Sequence, residues 1–449
     1  MGNRRKNAVS ATCLLVSAAT VAFAAVGATA TAQAAGTVKV LAQGNANLGS
    51  VFYGGVLIET NGKVYATATD GATSGNGSVL QLMPPAAGKT VWTETVIHRF
   101  AGFPSDGQNT QAALIKDKAG ALYGTTTGGG ANNQGVVFKL IPPAAGQKVW
   151  KETILYNFGA KAHDASQSRA PLVADAKGNL YGLTIYGGAS TRCSTGCGTV
   201  FKLTPPAAGK TVWTETVIHS FGTGANDGQL PELGGLILNA QGEVFGTTGN
   251  GGKFGSGIAF KLTPPAAGKT AWTETILTNF GGGAGGNVGG ATGGLVFDKT
   301  GALYGALTGG GTGFGSVYKL TPPASGKGAW KQAELYAFKT FDDCNHPQAS
   351  LIVDRAGTLW GTAQYGGKTP PASRVAAGCV FSVKPSGASS KETIVYTFTG
   401  PSGGVPLQGS MPYAALAADA KGNLFGTTIS GGAHSLGTVF ELTGSGYLK

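Results

Sequence analysis

Seven copies of one short pattern run along the chain, and this internal repeat restricts the fold more than any other feature of the sequence. The pattern is glycine, any residue, leucine or valine, and then an aromatic residue. Successive copies are 56 to 65 residues apart. Its glycines are Gly62, Gly120, Gly178, Gly242, Gly301, Gly357 and Gly422. This period is close to the roughly 40 to 50 residues of known propeller blades, with room for longer loops, so one copy per blade predicts seven blades.

Each repeat contains four strand-like segments, and the second copy is an example. Its segments are residues 113–116, 121–126, 135–140 and 150–158. Between the first two segments, Asp117 and Gly120 form a turn, because Asp bonds its own backbone and Gly accepts positive φ. Pro142 and Pro143 end the third strand, because proline has no N–H to donate. A β-helix has a shorter period and a sandwich has fewer strands per repeat, so four strands favour a propeller.

The two ends of the chain complement each other. The last copy stops after its third strand, residues 437–442, while Thr37 to Leu41 precedes the first complete repeat and matches Thr95 to Arg99 of a fourth strand. We predict that this N-terminal strand pairs in the seventh blade and closes the ring, which removes two exposed sheet edges. The predicted fold is all-β: one seven-bladed β-propeller with four-stranded antiparallel blades over residues 36–449. Its 77 glycines suit a chain with many turns.

Residues 1–35 have the pattern of a secretory signal peptide. Arg4, Arg5 and Lys6 precede a small, apolar segment that ends in Ala-x-Ala motifs at 28–30 and 32–34. We expect Sec-type export to the periplasm or the medium, with no transmembrane segment after cleavage, because no later apolar run approaches roughly 18 residues. The net charge is +12, but basic and aromatic residues do not interleave densely on one strand, so no nucleic-acid partner is expected.

Four cysteines remain after the leader, which is an even number in a chain with an export signal. They are Cys193, Cys197, Cys344 and Cys379. We predict two disulfides, a short one within the loop of the first two residues and a second one between the last two. A metal site at the first pair would need two further ligands.

Several motifs of the third copy resemble the bacterial GloVer (Gloeo/Verruco) tandem repeat. These motifs are Gly-Asn-Leu-Tyr-Gly at 178–182, Tyr-Gly-Gly at 186–188, Gly-Thr-Val-Phe-Lys-Leu-Thr-Pro at 198–205 and Trp-Thr-Glu-Thr at 213–216. The resemblance spans essentially the whole chain after residue 35. It implies an exported or surface-associated bacterial repeat protein, and it implies no particular activity.

Candidate ligand-binding residues lie in the loops that join a fourth strand to the next blade and in those between strands two and three. Both loop types open on the face with the channel mouth, and loops commonly carry binding residues. The candidates are His163, Asp164, Arg169, Tyr186, Asp342, Asp343, His346 and Tyr365. Carboxylates and an imidazole within residues 342–346 are metal-ligand types, but a polar surface loop is the simpler interpretation. No metal or other cofactor is assigned.

Two histidines and two aspartates have simpler interpretations in the aligned copies. His98 and His219 fall at the position of Tyr156, which predicts packing roles. Asp106 and Asp227 precede glycine and are predicted to shape turns. Calcium binding at these aspartates is the weaker alternative.

The repeat leaves few unique polar residues, which suits a rigid platform. The sequence therefore predicts an exported, monomeric binding or scaffold protein for a glycan or a cell-surface protein. The alternative is an extracellular carbohydrate-active enzyme, a hydrolase or lyase at the channel mouth. This alternative requires six side chains to meet in one pocket: Asp164, Arg169, Tyr186, Asp342, Asp343 and His346. A structural cell-envelope component is the third possibility.

Overall fold

The computed structural model describes residues 36–71, 74–232, 234–281, 290–324, 326, 328–368, 376–386, 390–399 and 407–449. The predicted signal peptide, residues 1–35, lies outside the described residues. Within the described part of the chain the regular structure is β-strand, and no helix is long and apolar enough to span a membrane.

Seven small antiparallel sheets form a ring, the arrangement of a seven-bladed β-propeller, which confirms the predicted fold class. Each blade has four strands, from the first to the outermost. Blade one consists of Leu57–Ile58, Val64–Ala68, Ser78–Met83 and Thr93–Arg99, blade two of Ile115–Lys116, Leu122–Thr125, Val136–Ile141 and Lys151–Asn157, and blade three of Val173–Ala174, Leu180–Thr184, Thr199–Thr204 and Thr214–Ser220. Blade four consists of Ile237–Leu238, Val244–Thr247, Ile258–Thr263 and Thr273–Asn279, blade five of Val296–Phe297, Leu303–Leu307, Ser316–Thr321 and Lys331–Ala337, blade six of Ile352–Val353, Leu359–Ala363, Ala376–Lys384 and Lys391–Thr399, and blade seven of Ala417–Ala418, Leu424–Ser430, Thr438–Thr443 and Thr37–Gln43.

Short ribbons on the loop face join the segment that enters a blade to the loop between that blade's second and third strands. They hold the entering segments of four blades in place. The paired strands are Gly107–Gln108 with Gly128–Gly129, Ala165–Ser166 with Tyr186–Gly187, Gly228–Gln229 with Asn250–Gly251, and Cys344–Asn345 with Tyr365–Gly366. In blade seven, Ser410–Pro412 pairs with the second strand directly.

The N-terminal strand closes the ring as predicted, but its predicted register is wrong by two residues. Thr37 pairs with Thr443, and in blade one the equivalent pair is Thr93 with Met83. Thr37 is therefore equivalent to Thr93 and not to Thr95. Side chains on a strand alternate between its faces, so a two-residue shift keeps the same face inward and matches the same pattern of β-branched residues.

Aromatic pairs between neighbouring blades form much of the core. Each pair joins a fully buried phenylalanine at the end of an outer strand to the third strand of the next blade. The ring centroids are 5.0–5.2 Å apart. The pairs are Phe100 with Phe138, Phe158 with Phe201, Phe221 with Phe260, Phe280 with Tyr318, Phe338 with Phe381 and Phe398 with Phe440. A Cβ at Gly124 would lie 2.5 Å from the Phe138 ring, which explains the glycine after the repeat's aromatic residue.

The predicted turn between the first two strands forms with the predicted hydrogen bonds. Asp117 accepts from the backbone N–H groups of Ala119 and Ala121, both at 2.9 Å. The hydroxyl of Tyr123 donates to the other oxygen of the same carboxylate at 2.9 Å. The aromatic residue of the repeat therefore fastens the turn as well as packing between blades.

Both predicted disulfides are present. Cys193 bonds Cys197 and Cys344 bonds Cys379, with Cα–Cα distances of 5.2 and 5.9 Å. The second bridge joins the segment that enters blade six to that blade's third strand.

Candidate functional site

A cavity of about 120 Å³ lies at the ring axis, where the first strands of the blades converge. Residues from five blades line it, which places it across the axis and not inside one blade. Its polar lining includes Tyr53, Gln111, Arg169, Ser350 and Tyr413. Much of the remaining wall is alanine or glycine, so these five side chains determine its chemistry.

Four of these side chains occupy one position of the repeat, three residues before a buried apolar residue. Across the described blades this position holds Tyr53, Gln111, Arg169, Thr292, Gln348 and Tyr413. The two residues after it are glycine, alanine, serine or proline in every case. At Gly54 a Cβ would lie 2.7 Å from the carbonyl oxygen of Ala112, so close contact between neighbouring inner segments requires small residues there. The scaffold is nearly constant, while the side chains that it presents to the axis differ. We call these side chains the axial ring.

The axial ring follows a strained turn in six blades. In these blades the residue two positions before the ring side chain is not glycine and has a positive φ of 50–59°. These residues are Val51, Asn109, Gln167, Leu230, His346 and Met411. Such a conformation is uncommon for bulky residues and requires compensation from its surroundings. In blade three, for example, the N–H of Gln167 donates to the carbonyl of Gln134, in a loop of the preceding blade.

The same turn identifies the blade-four member of the ring as Glu232. Glu232 comes two positions after Leu230, the same spacing as in the other blades with this turn. One extra residue then separates Glu232 from the small residues Gly234 and Gly235. Burial raises the pKa of Glu232, and the charge of Arg169 opposes that rise. The ring therefore holds one cation and one partly buried carboxyl group close enough to interact.

The ring offers aromatic surface and unused hydrogen-bonding capacity. The rings of Tyr53 and Tyr413 meet edge to face with centroids 5.3 Å apart. Burial, followed by the charge of Glu232, raises the pKa of Tyr413 to about 12, so this phenol stays neutral. The Nε of Arg169 is buried and has no hydrogen-bond partner within the described residues. Buried donors of this kind are normally satisfied, by protein, water or ligand.

Three of the eight predicted residues belong to this region. Arg169 lines the cavity. Tyr365 is close enough to Tyr413 to influence its pKa, and its ring packs edge to face on His346 with centroids 5.6 Å apart. Burial lowers the pKa of His346. His346 also supplies the strained turn of blade six.

Three more predicted residues lie together elsewhere. His163, Asp164 and Tyr186 line a broad surface pocket of about 740 Å³ between the loops of blades two and three. Asp164 is buried and accepts hydrogen bonds from the Tyr156 hydroxyl at 2.8 Å and the Ala160 N–H at 2.7 Å. Its carboxylate therefore holds the loop.

Asp342 and Asp343 lie in the loop before blade six. Asp343 accepts hydrogen bonds from the Tyr336 hydroxyl at 2.9 Å and the Lys339 N–H at 3.0 Å, while Asp342 is exposed. The eight predicted residues thus divide among three places. Asp164 and Asp343 lie in the loops that follow their outer strands, whereas Arg169 comes five residues after the first of them and reaches the axis. The structure does not bring together the six side chains that the enzyme alternative requires.

Sequence reasoning missed Tyr53, Gln111, Glu232 and Tyr413. The signal was available, because the axial position varies among copies whose flanking residues are uniformly small or buried. The ring takes one side chain from each of several blades, so no single loop contains the pattern.

The interpretation of His98 and His219 as packing residues was incomplete. Their rings do pack edge to face on Phe100 and Phe221, with centroids 4.6 Å apart in both cases. Each Nε2, however, also lies 3.4–3.6 Å from two carboxylates. The second carboxylate comes from the following repeat, so an alignment of copies could not show it. Asp106 does shape its turn, because it accepts from the Ala101 N–H at 2.7 Å.

These features define a class: a seven-bladed β-propeller built from tandem repeats, with a varied ring of polar and aromatic side chains around an axial cavity. Among curated proteins, none matches the chain. The chain belongs to the Gloeobacter/Verrucomicrobia repeat family, whose model matches residues 24–237 and 185–440.

Proposed function

We propose that this protein is an exported, monomeric binding protein that holds a carbohydrate, free or as the end of a glycan chain, at the mouth of its central channel. The observation that carries the proposal is the axial ring. A repeat that is otherwise nearly uniform presents different side chains at this one position, and most of them are tyrosine, glutamine, arginine or glutamate.

The chemistry of the ring suits a sugar. Tyrosine rings pack against the apolar C–H face of a sugar, and amide, guanidinium and carboxyl groups bond its hydroxyls. Ligand sites commonly combine apolar walls with a few convergent polar groups in this way. The cavity is well above the roughly 10–15 Å³ that one water molecule needs. The unpartnered Nε of Arg169 provides a donor for the ligand.

Export is supported by two independent features. The two disulfides suit an oxidising compartment. The pattern of residues 1–35 predicts a leader that directs the chain there.

The test uses purified residues 36–449 on an array of polysaccharides and cell-envelope glycans, followed by calorimetry with each glycan bound. We expect Arg169→Gln to weaken binding at least tenfold, because the variant removes the charged donor. Arg192→Gln is the matched control, since Arg192 is exposed on a blade-three loop. Tyr413→Ala removes aromatic surface from the opposite part of the ring and is expected to act like Arg169→Gln.

Two outcomes contradict the proposal. One is an array without saturable binding, which would favour a protein partner or a structural role. The other is binding that Arg169→Gln and Arg192→Gln weaken equally. The enzyme alternative is tested on the same samples, by assaying bound glycans for new reducing ends or unsaturated ends after prolonged incubation.

A further inference from the structure

A cluster of three side chains recurs between neighbouring blades, near the outer strands. Its members are a residue near the end of one outer strand, the aspartate of the loop that follows, and the glutamate at the second position of the next outer strand. We call these the interblade clusters. Among the described residues four such clusters are present: His98/Asp106/Glu152, Tyr156/Asp164/Glu215, His219/Asp227/Glu274 and Tyr336/Asp343/Glu392.

Each interblade cluster holds two carboxyl groups in a largely buried place, where like charges repel and require compensation. In the tyrosine cluster of blades two and three, Lys161 supplies the positive charge, with its Nζ 2.6 Å from Glu215 Oε2. In the cluster of blades five and six, burial and the neighbouring Asp343 raise the pKa of Glu392 to about 9. That glutamate is therefore protonated at neutral pH.

The two histidine clusters lack the lysine. In the aligned loops, Phe103 and Gly224 stand at the position of Lys161. Within the described part of the chain, the ion pairs of Glu152 and Glu274 are with the histidines alone. The Oε1 atoms of both glutamates are buried and have no hydrogen-bond partner there.

The histidines are not placed as good hydrogen-bond donors to both carboxylates. His98 Nε2 lies 3.5 Å from Asp106 Oδ2 and 3.4 Å from Glu152 Oε1. These distances exceed the usual 2.7–3.2 Å of an N–H···O bond. One ring N–H shared between two acceptors makes only weak bonds at these distances. His219 repeats the geometry, at 3.4 Å from Asp227 Oδ1 and 3.6 Å from Glu274 Oε1.

The same distances fit three ligands of one metal ion. In each histidine cluster all three donor atoms lie within 4.8 Å of one another. With metal–ligand bonds of 2.0–2.2 Å, two ligands of a tetrahedral ion are about 3.3–3.6 Å apart. The aspartate is also oriented from behind, because Asp106 accepts from the N–H groups of Ala101 and Gly107 at 2.7 and 2.6 Å. Such support is usual for metal-binding carboxylates.

We propose that His98, Asp106 and Glu152, and equally His219, Asp227 and Glu274, each bind one Zn²⁺-type transition-metal ion that joins two neighbouring blades. One imidazole and two carboxylates suit such an ion, with water as the fourth ligand. Calcium, the earlier alternative for Asp106 and Asp227, prefers six to eight oxygen ligands. The ions take the place that Lys161 has between blades two and three.

The experiment uses residues 36–449, stripped with a chelator, dialysed and titrated with Zn²⁺, with bound metal counted by mass spectrometry. We expect about two ions per chain and a higher melting temperature after loading. His98→Tyr with Phe103→Lys rebuilds the tyrosine cluster found between blades two and three, and it is expected to bind about one ion. His434→Ala is the control, because it removes an exposed histidine outside the clusters and should leave about two.

Replacement of zinc by Co²⁺ gives a second readout that does not depend on variants. Three-ligand sites with one water give the intense visible absorption of four-coordinate Co²⁺, in proportion to about two ions per chain. Failure of the protein to bind Zn²⁺ or Co²⁺ would overturn the proposal. So would an undiminished ion count in a folded His98→Tyr/Phe103→Lys variant, or a loss of ions in His434→Ala.

Discussion

Tyr336 donates a hydrogen bond to Asp343 at 2.9 Å, and the bond joins the end of one outer strand to the loop that follows it. The same hydroxyl lies 3.4 Å from Glu392 on the next blade. Two carboxyl groups therefore share one neutral donor in a largely buried place.

The pKa of Glu392 lies near 9 when the protein is folded and near 4.5 when it is not. A carboxyl group with a raised folded pKa contributes its full stability below about pH 4.5, and that contribution is lost as the pH rises toward 9. We expect Glu392→Gln to be more stable than the parent at pH 9 by about 1–3 kcal/mol, and near the parent at pH 5. Glutamine already occupies this position in blade five, where Gln332 accepts a hydrogen bond from Thr278 at 2.7 Å.

Urea unfolding at the two pH values measures the effect of Glu392→Gln. Glu334→Gln is the control, because Glu334 is exposed on a neighbouring outer strand. If the parent and Glu392→Gln lost stability in parallel between pH 5 and pH 9, Glu392 would not be the group that titrates.

Ring closure depends on the apolar side chains of the N-terminal strand. Leu41 is 4% exposed and packs in a cluster with Phe52 and Val439. We expect Leu41→Ala to lower the free energy of unfolding by about 2–5 kcal/mol, the usual cost of truncating a buried leucine. Guanidinium unfolding measures it, with Val91→Ala, at a residue 78% exposed, as the control. Equal midpoints for the two variants would show that the strand is not needed for closure.

The two disulfides are expected to differ in their contribution to stability. Cys344–Cys379 closes a loop of 35 residues and Cys193–Cys197 one of 4. Since a longer loop loses more entropy on cross-linking, replacing the first pair by alanine should cost about 4 kcal/mol and the second about 2 kcal/mol. Denaturant unfolding of the two double variants decides the order. The reverse order would mean that native contacts outweigh loop entropy here.

The turn of blade six depends on the three hydrogen bonds that its aspartate accepts. Asp354 is 6% exposed, accepts from the Ala356 and Thr358 N–H groups at 2.9 Å, and accepts from Trp360 Nε1 at 3.1 Å. Asp354→Ala leaves these donors unpaired and should cost about 2–3 kcal/mol in thermal unfolding. Asp354→Asn keeps the two backbone bonds, as Asn239 does in blade four, and should cost roughly half as much. A larger loss for the asparagine variant would contradict this account.

Local chemistry made much of the fold predictable. Asp117 and Gly120 mark a turn because their conformational preferences act within a few residues. The seven copies of that turn then determine the number of blades. The register of the first strand was less predictable, because alternation along a strand specifies a face but not a position along it.

The site was predictable only in part. Arg169, His346 and Tyr365 were placed at the channel mouth from their loops alone. Tyr53 and Tyr413 belong to the first and last blades, and their rings meet only because the ring closes. No local pattern marks that contact.

The sequence by itself determined the repeat, the strands and the turns, since each follows from the preferences of residues near one another in the chain, and the complementary ends of the chain predicted the closure of the ring. The tertiary structure alone decided which side chains share a space. Glu152 reaches His98 across a blade boundary, and Tyr413 reaches Tyr53 across the closure, because blade packing brings distant residues within a few ångströms. Contacts of that kind depend on the curvature of the whole ring, which no single repeat contains.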